Sequence, residues 1–161
     1  CNLITSETAR LAAQMGCIAC PTLITYDKLK SEGASMGLPP ASISKVDDVR
    51  LRGLESLTIM QDAGLPMAYG SDLLGGMQPH QSGEFELRGQ VLSPLTVIRS
   101  TTVIAAELLR MEGLIGTLQP GAFADLILLE RNPLEDLSIF SGQGEGIKTI
   151  VKDASIVKHL S

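Results

Sequence analysis

Two short apolar runs constrain this chain more than any other feature. Cys17-Ile18-Ala19-Cys20-Pro21-Thr22-Leu23-Ile24-Thr25 and Pro66-Met67-Ala68-Tyr69-Gly70 have the length and the small or β-branched content of buried strands. Pro21 limits the ladder bonding of the first, because proline has no N–H to donate. Residues 26–65 lie between the runs, so strands that pair across such a connection must run parallel. Parallel strands that are apolar throughout need cover on both faces. Two strands cannot supply that cover alone.

The rest of the chain supplies helices. Thr5 to Met15 predicts a short helix closed by Gly16, with Thr5 or Ser6 as cap. Ser31 to Ser44 carries two Gly, two adjacent Pro and four Ser, which predicts a long loop at the rim of a site. From Lys45, the positions Val46, Val49, Leu54, Leu57 and Met60 recur at helical spacing and stop at Gly64, predicting a long helix. Gly83 to Val91 is weakly helical. Ser93 then caps a helix opened by Pro94, with an apolar stripe from Leu95 through Ile98 and Ala105 to Leu108 and Leu109.

From Gly113 turn residues punctuate short strands: Ala124 to Leu129, Ile147 to Val151, and Ser155 to Val157 around Asp153-Ala154. The order predicts an α/β chain, the closing part of a (β/α)8 TIM-like barrel followed by part of a small β-rich domain. We assign residues 1–112 to the barrel and 113–161 to the second domain. A complete barrel takes on the order of 250 residues, and 161 residues are too few to close one. A chain that starts with Cys1 rather than Met also reads as having lost an upstream part.

Charge and aromatic content exclude one partner class. Thirteen Lys plus Arg stand against 18 Asp plus Glu, a formal charge of −5, with two Tyr, three Phe and no Trp. Neither the basic footprint nor the stacking platforms of a nucleic-acid binder are present. No apolar run approaches the ~18–20 residues that span a bilayer, and no signal-like start occurs, so no membrane partner and a cytoplasmic location are expected. Cys17 and Cys20 lie three apart in an extended segment and point to opposite faces. They are expected to be small buried side chains and not a metal or redox pair.

Chemistry is best placed on Asp72. A carboxylate just past the end of a buried parallel strand is where such barrels keep catalytic groups, and Asp is both a hard-oxygen metal ligand and a proton acceptor. The bland alternative is an Asx cap on the following turn. His80, in the next loop, is one of only two histidines and a candidate ligand or substrate contact. Glu84 could share that rim, or simply stabilise its own helix start. No nucleophile elbow or phosphate loop is present.

Taken in order, Pro21-Thr22-Leu23, Tyr69-Gly70-Ser71-Asp72, His80 with Glu84-Phe85, Ser93-Pro94, Gly116-Thr117-Leu118-Gln119-Pro120-Gly121-Ala122-Phe123-Ala124-Asp125-Leu126 and Asn132-Pro133-Leu134 resemble the C-terminal half of the metal-dependent amidohydrolase superfamily. The nearest branches are the imidazolonepropionase-like and Xaa-Pro dipeptidase-like ones. The resemblance implies a distorted barrel with one or two divalent ions, usually zinc, held by a His-x-His pair, often a carboxylated Lys, two further His, and an Asp after the eighth strand. Asp72 matches that Asp, which touches the metal and takes a proton from the attacking water. The implied reaction is hydrolysis of a C–N bond in a small, dipeptide-like or cyclic amide, with Tyr26 and His80 as substrate contacts.

The other metal ligands have no counterpart here, and Cys1-Asn2-Leu3-Ile4 resembles the stretch just after a family His. The chain alone is therefore expected to be inactive. Gly116 to Ile127 resembles the return into a composite β-sandwich, which makes Asp125 part of a structural turn. Two departures stand out: Ser71 where the family has Thr, and Ala154 where it has Gly, in a turn where Ala pays sterically at positive φ. A non-catalytic remnant or interaction protein on the same half-barrel is the competing reading. A homo-oligomer is left open.

Overall fold

In the computed structural model, which describes residues 1–160, the chain opens with helix α1, Ser6–Gln14. The Thr5 hydroxyl accepts from the Thr8 N–H and caps α1, and Gly16 at φ +70 turns the chain away from its end. The two apolar runs do pair in parallel. Their contact is short: Ala19 N–H donates to Pro66 O at 2.9 Å and Ala68 N–H to Ala19 O at 2.8 Å.

The strand expected over Cys17–Thr25 is cut short. Ile24 already begins helix α2, Ile24–Glu32. The long loop expected over Ser31–Ser44 shrinks to the turns between α2 and helix α3, which starts at Pro40 and runs to Asp62. Pro40 stands at the first helical position, where its missing N–H costs nothing and its fixed φ favours the helix, so the Ser-rich stretch is recruited into α3. The buried faces of these elements make one core: Ala9 of α1, Leu23, Leu57 and Met60 of α3, Leu65, Met67, Leu92 and Val97, with Leu137 from the tail packed against them. Cys17 and Cys20 are exposed and not buried as expected.

Beyond Asp72 come a 3-10 turn, Gly75–His80, and helix α4, Gly83–Gly89. The helix opened by Ser93-Pro94 is two helices rather than one: α5, Pro94–Thr101, and α6, Val103–Leu108. Thr102 at φ −118, ψ −97 separates them. Thr101 and Thr102 both turn their hydroxyls onto Ile98 O, competing with the helical ladder. Gly116 also presses on the same point, since a Cβ there would lie 2.6 Å from the Thr102 carbonyl.

The tail folds into an antiparallel sheet of β1, Leu126–Leu129, β2, Ile147–Lys152, and β3, Ser155–His159, in that order. It joins the helical part through stacked rings, with Phe85 and Phe140 centroids 4.2 Å apart. The β2–β3 loop is two residues, Asp153 and Ala154, both at positive φ, +48 and +60. That is the mirror-image turn that right-twisted strands demand, and a Cβ at Ala154 opposes it. Asp125 offsets the strain: its carboxylate accepts from the Asp153 N–H at 2.7 Å and pairs with Lys152. These contacts, the N–H bond first, hold the Asp125 carboxyl below the usual carboxylate range.

Two outcomes follow from this hairpin. Ala154→Gly should raise stability by about 1 kcal/mol, the typical cost of an L side chain in the left-handed region, read from the midpoint of urea unfolding. A carboxyl held below its unfolded value of about 4 stabilises the fold above that pH and loses its contribution as pH falls through the folded value. Asp125→Asn keeps an acceptor for the Asp153 N–H. It should flatten the acid limb of sheet melting followed by circular dichroism, whereas an unchanged limb would remove Asp125 from the account.

Candidate functional site

The parallel contact sets a register, and the register exposes a gap. After Ala19 N–H to Pro66 O and Ala68 N–H to Ala19 O, parallel geometry assigns the next bond to the N–H of residue 21 onto Ala68 O, and the one after to the Gly70 N–H onto Pro21 O. Residue 21 is proline and has no proton to give. Ala68 O therefore needs another donor, and so does Pro21 O, because the Gly70 N–H does not reach it.

Arg88 of α4 provides it. One terminal nitrogen, Nη2, donates to Pro21 O at 2.6 Å, and the other, Nη1, donates to Ala68 O at 3.1 Å and to Ser100 Oγ at 3.3 Å. Its Nε donates to Glu84 Oε1 at 2.8 Å. The other carboxylate oxygen of Glu84 accepts from the Leu23 and Ile24 N–H groups at 2.9 and 2.7 Å. Leu23 stands at the N-cap of α2 without a side-chain bond of its own, so the Glu84 carboxylate takes over capping from another helix.

Both side chains are 0% exposed. Burial pushes the Glu84 carboxyl up, while the Arg88 guanidinium and the N–H donors pull it back. Removing one member of such a pair costs about 3–5 kcal/mol, because the other is left charged and dry. The guanidinium also lies 5.1 Å from the Tyr69 ring centre. Tyr69 donates its N–H to Ser100 O at 2.9 Å and its hydroxyl to Gln81 O at 2.7 Å. Burial first, then the Glu84 charge, pushes the phenol well above its ordinary range.

Asp72 emerges two residues past Gly70. It is exposed, at φ +51, and among the described residues no hydrogen bond or ion pair holds its carboxylate. The Asx cap weighed above does not form. Tyr26 is half-buried within the first turn of α2. His80 ends the 3-10 turn with Nε2 3.1 Å from Glu32 Oε1. It lines a cleft of about 420 Å³ with Lys28, Glu86 and Gln143, and neither Tyr26 nor Asp72 lines that cleft. The three candidates are thus not gathered into one pocket by these residues alone.

Among the described residues no group of three or more His, Cys, Asp and Glu is placed to hold a metal ion. One free carboxylate falls short of the three or four protein ligands that a zinc centre takes, so the donors of this chain do not by themselves fit a metal. Sequence reasoning overlooked Arg88 and Tyr69, and it placed Glu84 on a rim or at its own helix start. Signals existed: a proline inside a paired strand orphans an acceptor, and Glu84 and Arg88 stand four apart on one helix face.

The model of the Amidohydrolase family matches residues 6–135. Among solved structures, an amidohydrolase is 47% identical with a TM-score of 0.94, over 99% of this chain and 38% of its own. A prolidase complexed with N-methylphosphonate-L-proline is 43% identical with the same TM-score, over 99% of this chain and 39% of its own. A Xaa-Pro dipeptidase with bound methionine in the active site is 23% identical with a TM-score of 0.83, over 98% of this chain and 38% of its own, a likeness of fold alone. No curated protein matches. The chain spans under two fifths of the length of these structures. With the family pattern running through most of its residues and both paired segments, the chain belongs to the amidohydrolase family.

Proposed function

We propose that residues 1–112 form the closing part of a (β/α)8 barrel and residues 113–161 part of a composite β-sandwich, in a hydrolase that cleaves C–N bonds of small, dipeptide-like substrates. The observation that carries this reading is Asp72, an exposed carboxylate with no partner among the described residues, delivered just beyond the paired segments. Amide hydrolysis needs a group that takes a proton as water adds to the carbonyl carbon and returns one to the nitrogen as the C–N bond breaks. Asp72 is assigned that role. Tyr26, in the first turn of α2, and His80, held opposite Glu32, are assigned to substrate contact.

The family is typically metal-dependent, and zinc is the ion the resemblance implies. The donors of this chain do not complete such a centre, so Asp72 would be its one ligand from these residues, with the others coming from elsewhere in the barrel. The likeness to a prolidase crystallised with a proline phosphonate supports Xaa-Pro dipeptides as the first substrates to try.

Two measurements test the proposal. The isolated chain should bind far less than one zinc and leave dipeptides intact; stoichiometric zinc with turnover would overturn the assignment of its missing ligands. Replacing the matching part of that prolidase with this chain should preserve Xaa-Pro hydrolysis. Within the graft, Asp72→Asn should lower kcat about 10²–10⁴-fold, the range for a lost acid–base group, with KM little changed. Undiminished kcat removes Asp72 from the chemistry, and a folded, metal-loaded graft without activity favours the non-catalytic reading.

A further inference from the structure

We infer that Arg88, held by Glu84, is a positioning residue. Its guanidinium takes the place of two main-chain bonds, the one that Pro21 deletes by lacking an N–H and the Gly70-to-Pro21 bond that does not form, and in doing so fixes the separation of the segments that carry Tyr26 and Asp72. The site role of those two residues rests on the hydrolase reading above; the structural substitution does not.

The geometry is specific to the missing bonds. The register leaves two carbonyls without ladder donors, Ala68 O and Pro21 O, and the two terminal nitrogens of Arg88 reach those two. A planar fork can bridge a pair of carbonyls while its third nitrogen meets a carboxylate; a lysine ammonium, a point donor on a flexible stem, cannot hold all three in one plane. Glu84 fixes the direction of the fork, and the same carboxylate caps α2 at Leu23 and Ile24, only two residues before Tyr26.

On the other segment the fork holds Ala68, and Tyr69 is fastened to Ser100 and Gln81, so the backbone is committed up to the residues just before Asp72. Gly70 completes the close approach. A Cβ there would lie 2.5 Å from Cys20 Sγ, so the segments are drawn together by Arg88 and nothing at position 70 pushes them apart. Beyond these contacts no described residue tethers the Asp72 side chain, and its placement is inherited from the joint.

The test restores the deleted bond by another route. Arg88→Lys is made in the intact protein with and without Pro21→Ala, which returns an N–H aimed at Ala68 O. Backbone amide exchange is followed residue by residue. Arg88→Lys should speed exchange of the amides from Ala68 to Leu73 and at Leu23 and Ile24 by about 10–100-fold through local opening, with α1 and the middle of α3 unchanged. Adding Pro21→Ala should recover most of the protection from Ala68 to Leu73.

Unchanged exchange in Arg88→Lys, uniform loss across α1 and α3, or no recovery in the double variant would each overturn the inference. Should Arg88→Lys alone fail to fold, the double variant is expected to fold, and its failure too would overturn the inference. In the prolidase graft, Arg88→Lys should lower kcat by about tenfold or more while KM moves little, as a misplaced reacting group does, and Pro21→Ala should recover part of it. The expected exchange pattern together with an inactive unmodified graft would sink the hydrolase reading and leave this one standing.

Discussion

The structure depends on a side chain doing what backbone normally does. Two parallel segments meet through a pair of main-chain hydrogen bonds, and a proline then ends the ladder. From that point the seam is carried by the Arg88 guanidinium, itself aligned by Glu84. Five elements converge on these two residues: the ends of both paired segments, the first turn of α2, α4 itself and Ser100 near the end of α5. A buried ion pair is a poor source of net stability when compared with well-packed apolar residues. Its value here is geometric, because no apolar side chain could satisfy two orphaned carbonyls and an uncapped helix together.

Much of the architecture was legible in the sequence because it rests on local chemistry. The parallel relation of the two apolar runs followed from their separation, the Ser93-Pro94 helix start from capping, and the β2–β3 hairpin from turn residues around Asp153-Ala154. What was hidden depends on partners distant in sequence. Ile24 and Thr25 read as strand because their apolar character fits either state, and only a carboxylate sixty residues away, on Glu84, makes a helix start there. Pro39-Pro40 read as loop because a proline pair ends helices as readily as it begins them. The break at Thr102 needed knowledge that Gly116 would pack against its carbonyl.

The candidate site divides along the same line. The position of Asp72 beyond a strand end could be read from order alone, whereas its freedom from any partner among the described residues could not. The Glu32 contact of His80, in a cleft that Asp72 does not line, follows from how α2 ends and how the 3-10 turn is laid down, neither of which has a clear pattern in the residues. The free carboxylate at Asp72 contrasts with Asp125, whose acid is fully committed to closing a hairpin. The two aspartates thus differ in availability because Asp125 is half-buried among the donors of its hairpin while Asp72 is exposed.

A main-chain rung has one geometry, and a change of residue can delete it, as Pro21 does, but not reshape it. Where Arg88 takes its place, the spacing of the two segments is set by the identities of the side chains at positions 21, 84 and 88. The seam is therefore open to side-chain substitution in a way that a backbone ladder is not, while the core of Leu57, Met60 and Val97 is built from other residues.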